Sequence, residues 1–221
     1  STFAGQGNSI VYSCDSIGTH SVMVVVTDIS GNTASCVTTI TVLDTVSPVA
    51  SCNTLPYTVQ LDTLGNGFVT PLNIDNGSSD FCGIDTMLIN GTDSVFYSCA
   101  NIGNIAVTLF VLDASGNPSS CVANITVNDP INPIALCQDT TLYLGNTGIT
   151  TITPSLIDAG SYDNCSFTTT VNGLSSVNFN CNQVGTNTVQ LIVTDFSGNT
   201  TQCAANVTLL DTIAPTASCI G

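Results

Sequence analysis

The chain has 221 residues, room for one large domain or two to three small ones, and it contains no Lys, no Arg, no Glu and no Trp. Its 15 acidic residues are all Asp, the formal charge is −15, and 43% of the chain is hydrophobic, enough for packed cores. Without cationic side chains it cannot grip nucleic-acid phosphates, build a P-loop or form a Schiff base, and no apolar run approaches the ~18–20 residues of a membrane-spanning helix.

Taken in order, the first strong pattern is Val22, Val24 and Val26 alternating with Met23 and Val25. Period-two alternation of β-branched residues predicts a strand. Residues 28–32 read D-x-S-G-N, a hairpin turn whose Gly31 and Asn32 are expected to take positive φ. A second strand is predicted from near Cys36 to Asp44, followed by a linker at 45–52. Gly65-Asn66-Gly67 and Asn90-Gly91 mark two more turns, and 103–129 repeats the strand–turn–strand pattern. The series then recurs, with a linker at 130–137, turns at Gly145-Asn146 and Asn172-Gly173, and strand–turn–strand at 185–211. There Val189, Leu191 and Val193 alternate with Gln190 and Ile192. No segment has the period of an amphipathic helix.

Segments 18–44, 103–129 and 185–211 align without gaps. Cys14, Cys36 and Cys52 have the same spacing as Cys99, Cys121 and Cys137, and as Cys181, Cys203 and Cys219. The steps from Cys52 to Cys137 and from Cys137 to Cys219 give a period of roughly 82–85 residues. We expect the C-terminal part of one repeat at 1–44, complete repeats at 45–129 and 130–211, and the start of another at 212–221, an excerpt from a longer array. About seven short strands per repeat, with frequent turns, predict an all-β fold of tandem immunoglobulin-like β-sandwiches.

Each complete repeat carries four cysteines, which allow three pairings. The expected bridges are Cys52–Cys121 and Cys137–Cys203, tying an opening strand to a closing strand, with Cys82–Cys99 and Cys165–Cys181 closing short excursions. Bridges between neighbours, Cys36–Cys52 and Cys121–Cys137, are disfavoured, because the strand after Cys121 carries the chain roughly 26 Å away. Cys14, Cys36 and Cys219 are expected to pair outside the excerpt. Bridges imply an oxidising, extracellular compartment; zinc is disfavoured, since there is no CxxC and little histidine.

The linker D-x-x-x-P-x-A-x-C, the loop D-x-G-S-x-D-x-C (75–82 and 158–165), the C-x-x-x-G strand start and the turn T/L-D-x-S-G-N together resemble the HYR (hyalin repeat) module over the whole chain. The resemblance implies an immunoglobulin-like extracellular repeat. The four-cysteine version is similar to arrays in giant surface proteins of Bacteroidetes, including gliding-motility adhesins exported by type IX secretion. It also implies an O-glycosylation motif, Asp-Ser/Thr followed by an aliphatic residue, Met or Thr, with acceptors at Ser16, Thr45, Thr63, Thr86, Ser94, Thr140 and Thr212. The absence of Lys, Arg and Glu departs from related arrays.

In an immunoglobulin-like topology the incoming linker, the loop after the second strand and the last hairpin turn share one end of a domain. All three carry Asp here. The expected ligands are Asp44, Asp75, Asp80, Asp113 and Asn117 for one junction, and Asp129, Asp158, Asp163, Asp195 and Asn199 for the next. Hard oxygen donors with no competing cation suit Ca²⁺, which takes 6–8 oxygens. The competing reading is turn chemistry, since Asp and Asn cap turns by themselves. Six N-x-S/T sequons occur, at Asn76, Asn90, Asn124, Asn164, Asn199 and Asn206. No enzymatic activity is expected: the one histidine, His20, has Ile105 and Asn187 as its counterparts, so no catalytic base recurs.

These features predict a stalk or filament segment of a long extracellular repeat adhesin acting in surface attachment, partnered by neighbouring repeats of its own chain. A multi-chain fibre of identical chains is the alternative. A carbohydrate-binding module is weaker, since no Trp offers a stacking platform.

Overall fold

The computed structural model describes residues 2–3 and 9–218. The strands are β1 (Thr2–Phe3), β2 (Gly18–Thr27), β3 (Thr33–Val42), β4 (Tyr57–Gln60), β5 (Asn66–Val69), β6 (Ile84–Ile89), β7 (Val95–Ser98), β8 (Gly103–Asp113), β9 (Pro118–Asn128), β10 (Thr140–Tyr143), β11 (Ile149–Ile152), β12 (Phe167–Val171), β13 (Val177–Asn180), β14 (Gly185–Asp195) and β15 (Thr200–Leu210). Helical structure among the described residues is confined to α1 (Pro71–Ile74) and single 3-10 turns at Cys14–Ser16, Cys99–Asn101, Pro154–Leu156 and Cys181–Gln183.

The fold is all-β and immunoglobulin-like. A four-stranded sheet, β4-β9-β8-β6, accompanies a two-stranded one, β5-β7; the arrangement recurs as β10-β15-β14-β12 with β11-β13. In the second set β10 runs parallel to β15, and the other pairs are antiparallel. The hairpin β2–β3 has β1 at its edge.

Contacts divide the chain into two compact units. One comprises 1–57, 69–95 and 106–125, and the other 58–68, 96–105 and 126–221. In the second, period-two alternation delivers Val189, Leu191 and Val193 from β14 and Ala205, Val207 and Leu209 from β15 into one core with Ile152, Ile157, Val171 and Phe179. Each such aliphatic side chain contributes about 1.5–3 kcal/mol on burial. In the first unit Val107, Leu109 and Val111 of β8 are buried, as are Val69, Ile74 and Ile89. On β2 the corresponding Val24 and Val26 are 43% and 65% exposed, against 0% for Leu191 and Val193.

Three local expectations are corrected. In the D-x-S-G-N turns only glycine takes positive φ, at Gly31, Gly116 and Gly198; among the described residues the non-glycine cases are Asn90 and Asn172. The segments read as linkers are paired: Val49 bridges Ser79 and Ile134 bridges Tyr162. The disulfides differ most. Cys52–Cys121 and Cys137–Cys203 are present, but Cys82 bonds Cys14 and Cys99 bonds Cys165, in place of Cys82–Cys99 and Cys165–Cys181. Closing those excursions would need β6 to pair with β7 and β12 with β13. Each pair instead divides between two sheets, so its ends do not meet. Cys36 and Cys181 are free and exposed; Cys14 is not left unpaired, and Cys219 lies outside the described residues.

Candidate metal centre

The D-x-S-G-N turn is an aspartate that caps its own hairpin. Asp113 Oδ1 accepts from the backbone N–H of Ser115 (2.9 Å) and Asn117 (2.8 Å), and Oδ2 accepts from Asn117 Nδ2 (2.7 Å). Asp195 is held in the same way by Asn199. The same amides reach further. Asn117 Nδ2 donates to the carbonyls of Asp44 (3.0 Å) and Val46 (3.3 Å), and Asn199 Nδ2 to those of Asp129 (2.9 Å) and Ile131 (3.1 Å). One side chain therefore clamps turn to incoming segment, and this brings the aspartate that begins that segment to the aspartate of the turn.

The third carboxylate comes from the loop ahead of β6 or β12. Asp80 Oδ1 accepts from Cys82 N–H, and Asp163 Oδ2 from Cys165 N–H, each at 3.1 Å. The bonded cysteine and the carboxylate are thus fixed together. The outcome is two triads, Asp44, Asp80 and Asp113, and Asp129, Asp163 and Asp195. In each, one oxygen per residue lies within 4.8 Å of the others. Asp75 and Asp158 stand outside both. Asp75 caps Gly77 and Ser78, and Asp158 accepts from Gly160 N–H, Ser161 N–H and Ser161 Oγ. Both carboxylates are engaged by their own turns, Asp158 through Oδ1 alone, as Asx chemistry permits.

Burial sets the electrostatics. Asp113, Asp129 and Asp195 are 3%, 1% and 6% exposed. Burial pushes the Asp163 carboxyl up, and the charges of Asp129 and Asp195 push the same way, against N–H bonds from Cys165 and Asn164. For Asp113 burial also acts upward, but the hydrogen bonds from Asn117, Ser115 and Gly116 outweigh it and hold the carboxyl below its ordinary value. Around the second triad three acceptor oxygens are buried with no hydrogen-bond donor: Asp129 Oδ2, Asp163 Oδ1 and Asn164 Oδ1. Desolvated acceptors without donors are costly, and the chain has no Lys or Arg to satisfy them. Three carboxylates drawn together in this way fit a hard divalent cation with an all-oxygen shell.

Asn164 escaped the sequence reading as a ligand, because its counterpart is Phe81. Its Nδ2 donates to Asp62 O and Asp129 Oδ1, so this sequon nitrogen is engaged. Of the hydroxyl residues singled out, Thr45, Thr63 and Thr212 are exposed, while Ser16, Thr86, Ser94 and Thr140 are half-buried. His20 hydrogen-bonds through Nε2 to the Ser16 carbonyl and packs against Tyr12.

No protein-family pattern matches the sequence, and no curated protein matches it. Among solved structures the neighbours are β-sandwich chains of immunoglobulin, fibronectin-III and cadherin type. A three-immunoglobulin-domain segment of titin is 12% identical at a TM-score of 0.45, with 90% of this chain and 76% of that chain covered. Human mucin-like protocadherin EC1-2 is 10% identical at 0.35, covering 73% and 98%. The Clostridium thermocellum CbhA fibronectin(III)-like modules are 8% identical at 0.29, covering 78% and 100%.

Proposed function

We propose that the chain is a stalk segment of a long extracellular repeat adhesin of the HYR type, exported to the surface of a Bacteroidetes cell by type IX secretion. Its complete repeats are 45–129 and 130–211. The observation that carries this reading is the pair of bonds Cys14–Cys82 and Cys99–Cys165. Each joins the 3-10 turn late in one repeat to the D-x-C loop of the next. A covalent staple between successive repeats suits a chain whose task is to hold position under load. Cys181 occupies the place of Cys99, the point at which the same staple reaches the next repeat, and Cys36 that of Cys121, whose bond to Cys52 lies within one repeat. The Asp triads hold Ca²⁺ beside each staple, with Asp129, Asp163, Asp195 and Asn164 as the fuller ligand set. Thr45, Thr63 and Thr212 are the accessible O-glycan acceptors.

The test is immunogold labelling of intact producing cells with antibody to this segment, combined with an attachment assay after chymotryptic shaving. Label on filaments that leave the surface, and attachment lost on shaving, are the expected results. Label confined to the cell interior would overturn the reading.

A further inference from the structure

We infer that the four disulfides form a ladder with two separate covalent load paths, so that the segment's extension is capped and no single break in it parts the chain. The closed loops run from Cys14 to Cys82, Cys52 to Cys121, Cys99 to Cys165 and Cys137 to Cys203, with separations of 68, 69, 66 and 66 residues. Each loop opens before the preceding one closes. Every peptide bond between Cys14 and Cys203 therefore lies inside at least one closed loop.

Two routes cross the segment without sharing a bond. One passes from Cys14 to Cys82 through sulfur, follows the backbone to Cys99, crosses to Cys165 and follows the backbone to Cys203. The other follows the backbone from Cys14 to Cys52, crosses to Cys121, follows the backbone to Cys137 and crosses to Cys203. The two routes are nearly equal in backbone length, and each is less than a third of the linear path from Cys14 to Cys203. At ~3.3–3.6 Å per residue, full unfolding stretches the oxidised segment to about 190 Å and the reduced one to about 650 Å. The stretches 52–82, 99–121 and 137–165 are the rungs. They contain α1 and strands of both sheets, and they can unfold without lengthening either path.

The ladder has a consequence that hairpin-closing bonds lack. Removing any one disulfide leaves the other path intact, and the cap stays where it was. This property follows from the connectivity and goes beyond the adhesive reading; it holds equally in a multi-chain fibre.

Single-molecule stretching of the oxidised chain, with handles at its ends, tests it. Thiol reductant should lengthen the 14–203 segment by about 460 Å, and Cys52→Ala with Cys121→Ala should leave the oxidised length unchanged. Bonding of Cys82 to Cys99 would instead lengthen that variant to about 360 Å, and would overturn the inference. Val46→Lys gives an independent check. It creates the one tryptic site in a chain without Lys or Arg, at a position 63% exposed. Cleaved in urea with thiols blocked, the variant should run as one species unreduced and as two after reduction. Release of residues 1–46 before reduction would overturn the ladder and leave the surface location untouched.

Discussion

The two aspartate triads are built from the same three loops and the same asparagine clamp, yet they end in different states. Around Asp44, Asp80 and Asp113, the residue between the loop aspartate and its cysteine is Phe81, 94% exposed and directed to solvent. Around Asp129, Asp163 and Asp195 that residue is Asn164. Its amide nitrogen bonds to Asp62 O and Asp129 Oδ1, and its own oxygen is buried without a donor, as are Asp129 Oδ2 and Asp163 Oδ1. Asp129 is 1% exposed, whereas Asp44 is half-buried. The one variable residue between loop aspartate and cysteine thus marks a triad with buried donorless oxygens off from one without them.

Reduction should break both arrangements at once and have the largest effect. Asp80 and Asp163 are held by the N–H groups of Cys82 and Cys165, so freeing the sulfurs loosens the carboxylates too. Each native bridge is worth about 2–5 kcal/mol, and the melting temperature should fall by roughly 10 °C or more. A calorimetric melting temperature unchanged by reductant would remove the disulfides from the account of stability.

The comparison is sharpest in calcium affinity. Titration calorimetry of the oxidised chain with CaCl₂ should resolve one tighter and one weaker site. Asp163→Asn should weaken the tighter site at least about tenfold and Asp80→Asn the weaker, a tenfold loss being about 1.4 kcal/mol. Asn164→Ala should cost the tighter site about tenfold on the same scale, and Phe81→Asn should strengthen the weaker one. At a hundredfold excess over Kd, the bound ion adds about 2.7 kcal/mol of stability. Equal affinities at the two triads, indifferent to residues 81 and 164, would erase the distinction.

The clamps should behave alike. Asn117→Ala and Asn199→Ala each remove the three bonds made by one amide nitrogen, and each should cost about 1–2 kcal/mol in urea denaturation. A clear inequality would mean that the clamp, and not Asn164, distinguishes the triads.

Much of this was legible in the sequence. The strands announce themselves through alternation at 22–26 and 189–193, and the turns through Asn90-Gly91 and Gly116. Asp44, Asp80 and Asp113 could be brought to one end because the topology dictates which loops share it. Asp75 and Asp158 could not be told from the triad aspartates, since an aspartate engaged by its own turn and one drawn into a cluster look identical as letters. The cysteine pairs failed for a spatial reason. Cys82 and Cys99 are near in sequence, but the strands between them leave for different sheets. The repeat itself carried a signal: Cys14 and Cys99 are equivalent positions, as are Cys82 and Cys165, so the bonds Cys14–Cys82 and Cys99–Cys165 are one bond repeated. Asn164 carried no signal, because its counterpart is unlike it.

The smallest expected effect concerns the two aspartates outside the triads. For both Asp75 and Asp158 burial acts to raise the carboxyl, but bonds from Ser78 and Gly77, or from Ser161 and Gly160, prevail and leave it below its ordinary value of 3.8. A carboxyl lowered on folding binds its proton more readily in the unfolded chain. Its stabilisation is therefore complete above about pH 4 and is lost as pH falls through the lowered folded value. Asp75→Asn with Asp158→Asn keeps an acceptor oxygen in each turn but removes the titration. The double variant should lose less melting temperature than the parent between pH 5 and pH 2.5, with chelator present to keep the triads out of the comparison. Parallel curves would mean that these two caps hold their turns as well protonated as ionised.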